Sequence, residues 1–270
     1  MLVRKGSIMM LNHKDEDLQP QIFQEISKFW AFQLNNEIYL RNKPDVIRGS
    51  KEYFDIILSA RERFIYYFQS MITYLNNGPS KEFLEVGCGM GTDTLVFAKE
   101  GFNVTGIDLT PDHIVLAKRL FRLYNTTGVF NEGNAESLPF SDNSFGCVYS
   151  YGVLHHTPNT EKAIREIYRV LVPHGRAVIM LYNRWSLNNF MHWISRKGFE
   201  NVKNGTDSPV TYRFSKDKVR RMCSDFSACH INTEYLYGAG WGKIYNITPK
   251  PIYLLLSKLI GWHLVAYLQK

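Results

Sequence analysis

The strongest constraint on the fold is a turn with three glycines at alternate positions: Gly87, Gly89 and Gly91. An apolar run, residues 83–86, leads into this turn, and a helix-like pattern starts at Thr92. Glycine has no Cβ, so it tolerates positive φ and lets the backbone approach a ligand closely. A strand, a glycine-rich turn and a helix N-terminus form the nucleotide cradle of many α/β sheets. The sequence therefore predicts an α/β sheet with a ligand crevice at this turn.

An acid further along the chain supports a crevice that holds a ribose. Asp108 ends the next strand-like run, about 20 residues beyond Gly87, where an acid can hold a ribose hydroxyl. The dinucleotide fingerprint G-x-G-x-x-G is absent, because its third glycine position falls on Thr92. A P-loop needs Lys and Ser or Thr after the last glycine, whereas Thr92 and Asp93 follow here. An acid at that place would repel a triphosphate.

Strand-like and helix-like segments alternate in the middle of the chain. Strands are predicted at 82–86, 103–107, 129–132, 145–150 and 177–182, and helices at 92–100, 111–124 and 160–171. This alternation implies a parallel sheet covered on both faces.

The flanking segments follow other patterns. Two helices are predicted before the core, at 21–40 and from Ser50 to about Asn77. After Asn183 we expect an insertion, helical at first, that extends to Tyr212. The predicted elements that follow it are a helix at 215–226, a strand at 230–237, a helix at 252–259 and a strand at 262–268.

The composition suits one core with appended elements, since 45% of the 270 residues are hydrophobic. The longest candidate for a membrane span, 252–268, contains Lys258, Gly261 and His263, so we expect no transmembrane helix. The N-terminus lacks the pattern of a signal peptide. The four cysteines show no CxxC spacing, which argues against a zinc site or a disulfide framework and favours the cytoplasm.

The net charge of +7 is placed unevenly. From Phe190 to Lys270 there are 12 Lys/Arg and 5 Asp/Glu, whereas the first 189 residues hold 20 of each. The whole excess therefore lies in the C-terminal part. Two interpretations remain open: a solvated face, or attraction to an anionic partner such as a phosphorylated substrate, lipid headgroups or RNA.

Four motifs in a fixed order resemble one enzyme family. They are the turn E-V-G-C-G-x-G-T, the acid Asp108, the run N-A-E-S-L-P-F from Asn134 to Phe140, and the run Y-G-V-L-H-H from Tyr151 to His156. Together they resemble the class I S-adenosylmethionine-dependent methyltransferases. Their closest likeness is to the small-molecule branch that includes the quinone-biosynthesis C-methyltransferases. The resemblance covers about residues 81–183.

The resemblance implies a Rossmann-like, seven-stranded and mostly parallel α/β sheet with helices on both faces and a final antiparallel strand. It also implies N-terminal helices that cover the cofactor and a C-terminal insertion. We therefore divide the chain into an N-terminal tail and helical cap, a cofactor-binding core, an insertion that caps the substrate, and a C-terminal part that completes the sheet. The respective ranges are 1–78, 79–183, 184–214 and 215–270.

The resemblance also assigns residues to S-adenosylmethionine. Glycines 87, 89 and 91 would meet its methionine part and ribose, Glu85 its cationic end, and Asp108 both ribose hydroxyls. Leu109 would lie against adenine. The acid that often contacts the adenine amine is replaced by Asn134, which can still accept that hydrogen bond without charge. Cofactor contacts are thus expected from Glu85, Gly87, Gly89, Gly91, Asp108, Leu109, Asn134, Ala135, Glu136 and Tyr151.

Tyr151, His155 and His156 are the predicted catalytic residues, because they follow the fourth strand at the edge where such sheets expose their crevice. Histidine can take a proton near neutral pH, and the sequence does not choose between His155 and His156. The expected reaction is an in-line attack by an O, N or C nucleophile of a small molecule on the methyl group, with S-adenosylhomocysteine as the product.

The sequence also leaves several alternative functions to be considered. Enzymes that methylate amino groups of nucleic-acid bases carry Asn/Asp-Pro-Pro-aromatic after the fourth strand, where this chain has Tyr151 to Leu154. Methylation through a cysteine would need a thiol there. Both points argue against a nucleic-acid substrate, although the basic C-terminal part keeps RNA as an alternative.

A non-catalytic cofactor-binding protein is a second alternative. A peripheral membrane enzyme acting on a lipid or quinone is a third, with Trp241, Tyr253, Trp262 and the basic excess as its surface. The sequence indicates no oligomeric state.

Overall fold

The computed structural model of the chain describes residues 19–32, 35–40, 42–195, 208–238, 244 and 247–270. Seven strands form one sheet: β1 Glu82–Val86, β2 Asn103–Asp108, β3 Val129–Glu132, β4 Phe145–Tyr151, β5 Leu171–Tyr182, β6 Ala228–Glu234 and β7 His263–Gln269. The helices are α1 Gln19–Phe32, α2 Lys51–Phe64, α3 Phe68–Asn76, α4 Thr92–Lys99, α5 Pro111–Leu123, α6 Thr160–Val170, α7 Leu187–Ser195, α8 Lys216–Met222 and α9 Lys250–Ile260.

The strand order is β3-β2-β1-β4-β5-β7-β6. The first five strands along the chain pair in parallel, and β7 runs antiparallel to both β5 and β6. From β1 the chain builds the sheet toward β3, then returns to add β4 and β5 on the other side. The order therefore reverses between β1 and β4, and open α/β sheets bind ligands at such a switch point. The predicted α/β sheet with a final antiparallel strand is confirmed.

Both faces of the sheet are buried. Successive residues of β1 point to opposite sides: Phe83 stacks on Phe97 of α4, with ring centroids 4.3 Å apart, while Leu84 packs in a second cluster with Ile164 and Ile167 of α6. Helices α2 to α5 cover the first face, and α6 and α8 cover the second. A parallel sheet covered in this way needs nearly continuous apolar strands, as the sequences of β4 and of residues 177–182 in β5 show.

The two predicted N-terminal helices are each divided. Helix α1 ends at Phe32, and the short 3₁₀ helix 35–40 is a separate element. The second predicted helix breaks at Ile65, whose backbone (φ −100°, ψ 67°) leaves the helical region. The chain changes direction at this residue, and the Tyr67 hydroxyl thereby contacts His263 on β7. The helical pattern of the sequence does not indicate the break at Ile65. The break coincides with the long-range contact between Tyr67 and His263.

The C-terminal elements agree with the predicted types but differ in their bounds. The insertion begins with helix α7, α8 stops at Met222, and β5 starts at Leu171 because its first residue already pairs with Phe145. The aromatic surface predicted there is wrong in two of its members. Trp262 is only 6% exposed and Tyr253 only 8%, because both pack against core aromatics, and Trp241 lies outside the described residues.

Within the described ranges, no helix is long and apolar enough to cross a bilayer.

We expect a glycine-to-alanine change to be far more damaging at Gly87 than at Gly101. Both have positive φ, +76° and +84°. A Cβ at Gly87 would lie 2.3 Å from Val153 Cγ2, whereas nothing lies within 4 Å of one at Gly101. Gly101→Ala should lower the free energy of unfolding by roughly 1 kcal/mol through backbone strain alone, and Gly87→Ala by about 2–4 kcal/mol. Urea denaturation measures both values, and equal losses would contradict the close approach.

Candidate cofactor and acceptor site

A cavity of about 570 Å³ opens at the carboxyl ends of β1, β2 and β4. We divide its lining residues into two groups. The part lined by Glu85, Gly87, Gly89, Asp108, Leu109, Asn134 and Ala135 is here called the crevice. The part lined by Tyr151, Met180, Tyr182, Tyr235, Trp262 and His263 is called the chamber. Helices α1 and α2 contribute Trp30 and Arg61 to the walls, so residues of the predicted N-terminal cap do face the cavity.

The glycine turn holds β1 to the end of β2. The N–H groups of Gly87 and Cys88 both donate to the carbonyl of Ile107, each at 2.8 Å. Gly87 and Gly89 line the crevice, both with positive φ. Gly91 begins α4 instead, and a Cβ there would lie 3.1 Å from Cβ of Ala117. Its role is therefore in the turn and in helix packing, and it does not line the cavity.

Asp108 is the best-supported acid of the crevice. One carboxylate oxygen accepts from the N–H of Gly89 at 2.8 Å, and the other from the N–H of Thr110 at 2.9 Å. His113 Nδ1 lies 3.1 Å from that second oxygen. Burial alone would raise the pKa of Asp108, but the hydrogen bond and charge of His113 and the two backbone donors outweigh it and lower the pKa. Asp108 is thus an ionised acceptor facing the crevice.

His113 connects Asp108 to helix α1. Its Nε2 lies 3.0 Å from the carbonyl oxygen of Trp30, and its Nδ1 faces the Asp108 carboxylate. Both partners are hydrogen-bond acceptors. Ser27 also donates to the carbonyl of Leu109 at 3.3 Å. Helix α1 is therefore tied to the loop after β2, and its side chains Phe23, Ile26 and Trp30 close the crevice from above.

Glu85 belongs to a buried cluster of charges. Its carboxylate accepts from the Thr94 hydroxyl, and Asp93 nearby forms a two-pronged ion pair with Arg61. The Tyr149 hydroxyl also donates to Asp93, at 2.9 Å. Burial, and then repulsion by Asp93, raise the pKa of Glu85 well above its usual range. The cluster contains two acids and one base, so a cationic ligand group beside Glu85 would favour its ionised form.

Three polar side chains meet in the chamber. Tyr67 Oη lies 2.5 Å from both Tyr151 Oη and His263 Nδ1, and Tyr151 Oη lies 3.0 Å from the same nitrogen. The Tyr235 ring stacks on His263 with centroids 4.4 Å apart, and the Arg61 guanidinium lies 4.6 Å from the centre of the Tyr151 ring. Burial, and then the charge of Arg61, lower the pKa of His263 to about 3. His263 is therefore neutral and can accept a hydrogen bond.

Comparisons with known proteins agree with this geometry. Residues 84–179 match the family model of a methyltransferase domain. The 2-methyl-6-phytyl-1,4-hydroquinone methyltransferase of Synechocystis sp. is 36% identical over 107 residues, which are 39% of this chain and 33% of that protein. Phosphoethanolamine N-methyltransferase 2 of Caenorhabditis elegans is 33% identical over 155 residues, 55% of this chain and 36% of that protein.

The core is a class I S-adenosylmethionine-dependent methyltransferase domain.

The solved structure of geranyl diphosphate C-methyltransferase from Streptomyces coelicolor, in complex with S-adenosyl-L-homocysteine, extends the likeness in shape. It has a TM-score of 0.61 at 12% identity and covers 92% of this chain and 97% of that one. This likeness shows that the fold continues beyond the methyltransferase domain. The matches to the two curated relatives span only about a third of their own length.

The structure distributes the predicted cofactor residues unequally. Leu109, Asn134 and Ala135 line the crevice together with Glu85 and Asp108. Asn134 Oδ1 already accepts from the N–H of Glu136, at 2.9 Å. Glu136 itself is 1% exposed and does not line the cavity; its carboxylate accepts from the Thr157 hydroxyl and the N–H of Asn159. The expected cofactor contact of Glu136 is therefore replaced by a role in fixing the loop before α6.

The two histidines predicted to be catalytic differ in position. His156 lines the cavity, and its Nδ1 donates to the carbonyl of Val210 at 2.9 Å. Burial lowers its pKa to about 4, so it is neutral. His155 does not line the cavity; it is buried against Tyr182, with ring centroids 3.7 Å apart. Burial, and then His156, keep the pKa of His155 well below its usual range. Of the pair, only His156 is placed to meet a ligand.

Sequence reasoning missed Arg61, Asp93, Tyr67 and His263 as site residues. Arg61 and Asp93 are 32 residues apart, and Tyr67 and His263 are 196 apart, so no local motif joins them. One signal was available: Asp93 follows the glycine turn directly, in the first turn of α4, where a side chain faces the switch point. His263 carries no such signal, because its place follows from the position of β7 beside β5.

We expect Asp108→Ala to weaken the binding of S-adenosylmethionine by about 10- to 100-fold, because the loss of hydrogen bonds to a charged group has an effect of this size. The change removes both the predicted ribose partner and an anchor of the glycine turn. The matched control is Asp112→Ala, an exposed acid in the first turn of α5, which should leave the affinity unchanged. Isothermal titration calorimetry measures both, and undiminished affinity in Asp108→Ala would contradict the assignment.

The raised pKa of Glu85 predicts a pH dependence of binding. Between about pH 5 and pH 7, the protonated fraction of Glu85 is larger than that of an ordinary carboxyl group, and it is largest at the lower pH. A bound cation favours the carboxylate, so affinity for S-adenosylmethionine should rise with pH and binding should release protons.

Calorimetry in buffers of different ionisation enthalpy measures the proton release. Glu85→Gln should lower the affinity and remove this part of the pH dependence. The same pH profile in wild type and Glu85→Gln would show that another group is responsible.

Proposed function

We propose that the protein is an S-adenosylmethionine-dependent methyltransferase that acts on an O, N or C nucleophile of a small, largely apolar or aromatic molecule. The observation that supports it most is that the residues of the crevice and those of the chamber line the same cavity. A donor held in the first part would therefore face an acceptor held in the second, without bulk water between them. One curated relative is an N-methyltransferase and the similar solved structure is a C-methyltransferase, so they leave the nucleophile of this chain open.

The residues of the crevice suit the proposed donor. Gly87 and Gly89 have no Cβ and allow close approach. Asp108 offers two acceptor oxygens to a ribose, and Glu85 offers a buried carboxylate to a cationic amino acid end. Leu109 and Ala135 supply apolar surface for a purine. When bound, S-adenosylmethionine supplies an electrophilic methyl group on a positively charged sulfur.

The chamber orients the acceptor more than it deprotonates it. Its walls are aromatic, which suits stacking against a flat or apolar molecule. Tyr151 and His263 offer a hydroxyl and a neutral imidazole for hydrogen bonds, with Tyr67 behind them. Since the pKa of His263 is about 3, it is a weak base at neutral pH. Holding the acceptor in near-attack geometry is therefore the main contribution that we assign to these residues.

Transfer of a labelled methyl group tests the proposal. The full chain is incubated with methyl-labelled S-adenosylmethionine and, separately, with a lipid extract, an aqueous metabolite extract and total RNA. We expect label in small molecules of an extract, and much less label with Asp108→Ala at a donor concentration that does not saturate the variant. Label in RNA alone would replace this function by an RNA methyltransferase. Binding of the donor with no transfer to any fraction would favour a non-catalytic cofactor-binding protein.

Once an acceptor is known, His263→Gln should lower the rate of methyl transfer by at least about tenfold, because it disturbs the hydrogen bonds that hold Tyr67 and Tyr151. Affinity for S-adenosylmethionine should stay the same, since His263 lies in the chamber. The matched control is His230→Gln on the neighbouring strand β6, where the side chain is exposed. A full transfer rate in His263→Gln would remove this residue from the account.

A further inference from the structure

Two C-terminal helices expose large apolar side chains on one side of the molecule. From α7 and the residue pair before it come Trp185, Phe190, Met191, Trp193 and Ile194, and from α9 come Ile252, Leu255 and Leu259. All eight are more than a third exposed, and Trp193 reaches 76%. They are called the apolar face below. On α9 they recur at a helical spacing opposite the buried Tyr253 and Ser257, so the helix is apolar on both sides.

The C-terminal end of α9 lies near α7. Leu187 of α7 and Ile260 of α9 pack against the same small cluster around Leu236 and Tyr253. A surface groove of about 680 Å³ between them is lined by Trp185, Phe190 and Trp193 from one side and by Ile260 from the other. The apolar side chains of α7 therefore adjoin the end of α9 at Ile260, the residue after the exposed Leu259. Contiguous exposed apolar surface of this kind marks an interaction site.

Helix α7 also forms part of the wall of the methyltransferase cavity. Asn188 and His192, one turn apart, point inward and line the cavity, while Phe190 and Trp193 point outward. His192 lines the outer groove as well. The apolar face and the cavity are thus separated by the thickness of a single helix.

Basic residues predominate around the apolar face, and the buried Glu234 interacts with one of them, Lys258. The segments 184–195, 208–215 and 249–263 contain no Asp or Glu. They contain Arg184, Arg213, Lys250 and Lys258, and the Arg184 guanidinium lies 5.2 Å from the centre of the Trp185 ring. Tryptophan beside basic residues, with aliphatic side chains between them, is the composition that binds the interface of an anionic bilayer.

We infer that the apolar face docks on an anionic phospholipid membrane and that the methyl acceptor is a molecule dissolved in that membrane. The second part rests on the proposed methyltransferase function. Docking would bury the indole and aliphatic side chains at the level of the headgroups, with the exposed Arg184, Lys250 and Lys258 facing anionic lipids. It would also place α7, and with it the cavity wall, at the membrane surface. A lipid-soluble acceptor could then enter the chamber without crossing water.

Vesicle flotation with the full chain tests the docking. Vesicles of phosphatidylcholine are compared with vesicles that also contain phosphatidylglycerol. We expect the protein to float with the anionic vesicles, less with the neutral ones, and less as salt is added. Trp193→Ser combined with Leu255→Ser should reduce binding about tenfold or more. Lys258→Glu should reduce binding to anionic vesicles alone.

The matched control is Val115→Ser on α5, which is 65% exposed near the opposite edge of the sheet and should bind as wild type does. Calorimetry with S-adenosylmethionine is run on each variant, because the apolar face lies outside the crevice. Intact donor binding without flotation would overturn the docking and leave the proposed function standing. A dimer in sedimentation velocity that the double variant abolishes, with no flotation, would assign the face to a second copy and also overturn it.

Discussion

The ion pair between Arg61 and Asp93 connects the parts of this molecule that have to work together. Arg61 belongs to α2 in the N-terminal cap, and Asp93 belongs to the first turn of α4, directly after the glycine turn. The same guanidinium lies over the Tyr151 ring, and Tyr149 donates to the same carboxylate. A buried pair of this kind is costly to break from one side, by about 3–5 kcal/mol, since the partner stays buried without compensation. It therefore fixes the cap, the crevice and the chamber in one arrangement.

Around this pair, two acids with similar chemistry are placed in opposite electrostatic environments. Asp108 accepts backbone hydrogen bonds and faces His113, so its pKa is lowered. Glu85 is desolvated beside Asp93, so its pKa is raised. In the proposed complex, the first meets neutral hydroxyls and the second meets a cation. These two environments correspond to two parts of S-adenosylmethionine, its ribose and its cationic amino acid end. The charged side chain of Arg61 lies beside the chamber.

The sequence predicts the centre of this site better than its edges. The bounds of β1 and β3 and the positive φ of the glycine turn follow from local patterns, and the structure agrees with them. The break at Ile65 and the meeting of Tyr67 with His263 depend on contacts between distant segments, which no local periodicity encodes. The same holds for Trp262 and Tyr253. Their type suggested a surface, but which aromatic residues are exposed depends on how β7 and α9 pack.

The most direct test of the account is a crystal structure of the full chain with S-adenosylhomocysteine. We expect the ribose hydroxyls to bind Asp108, the purine to lie against Leu109 and Ala135, and the amino acid end to lie beside Glu85. We also expect the sulfur of S-adenosylhomocysteine to point toward the chamber, on the side of Tyr151. A nucleoside bound in another orientation, with its sulfur facing away from Tyr151, would contradict the division into crevice and chamber, as would its absence from a well-ordered crevice.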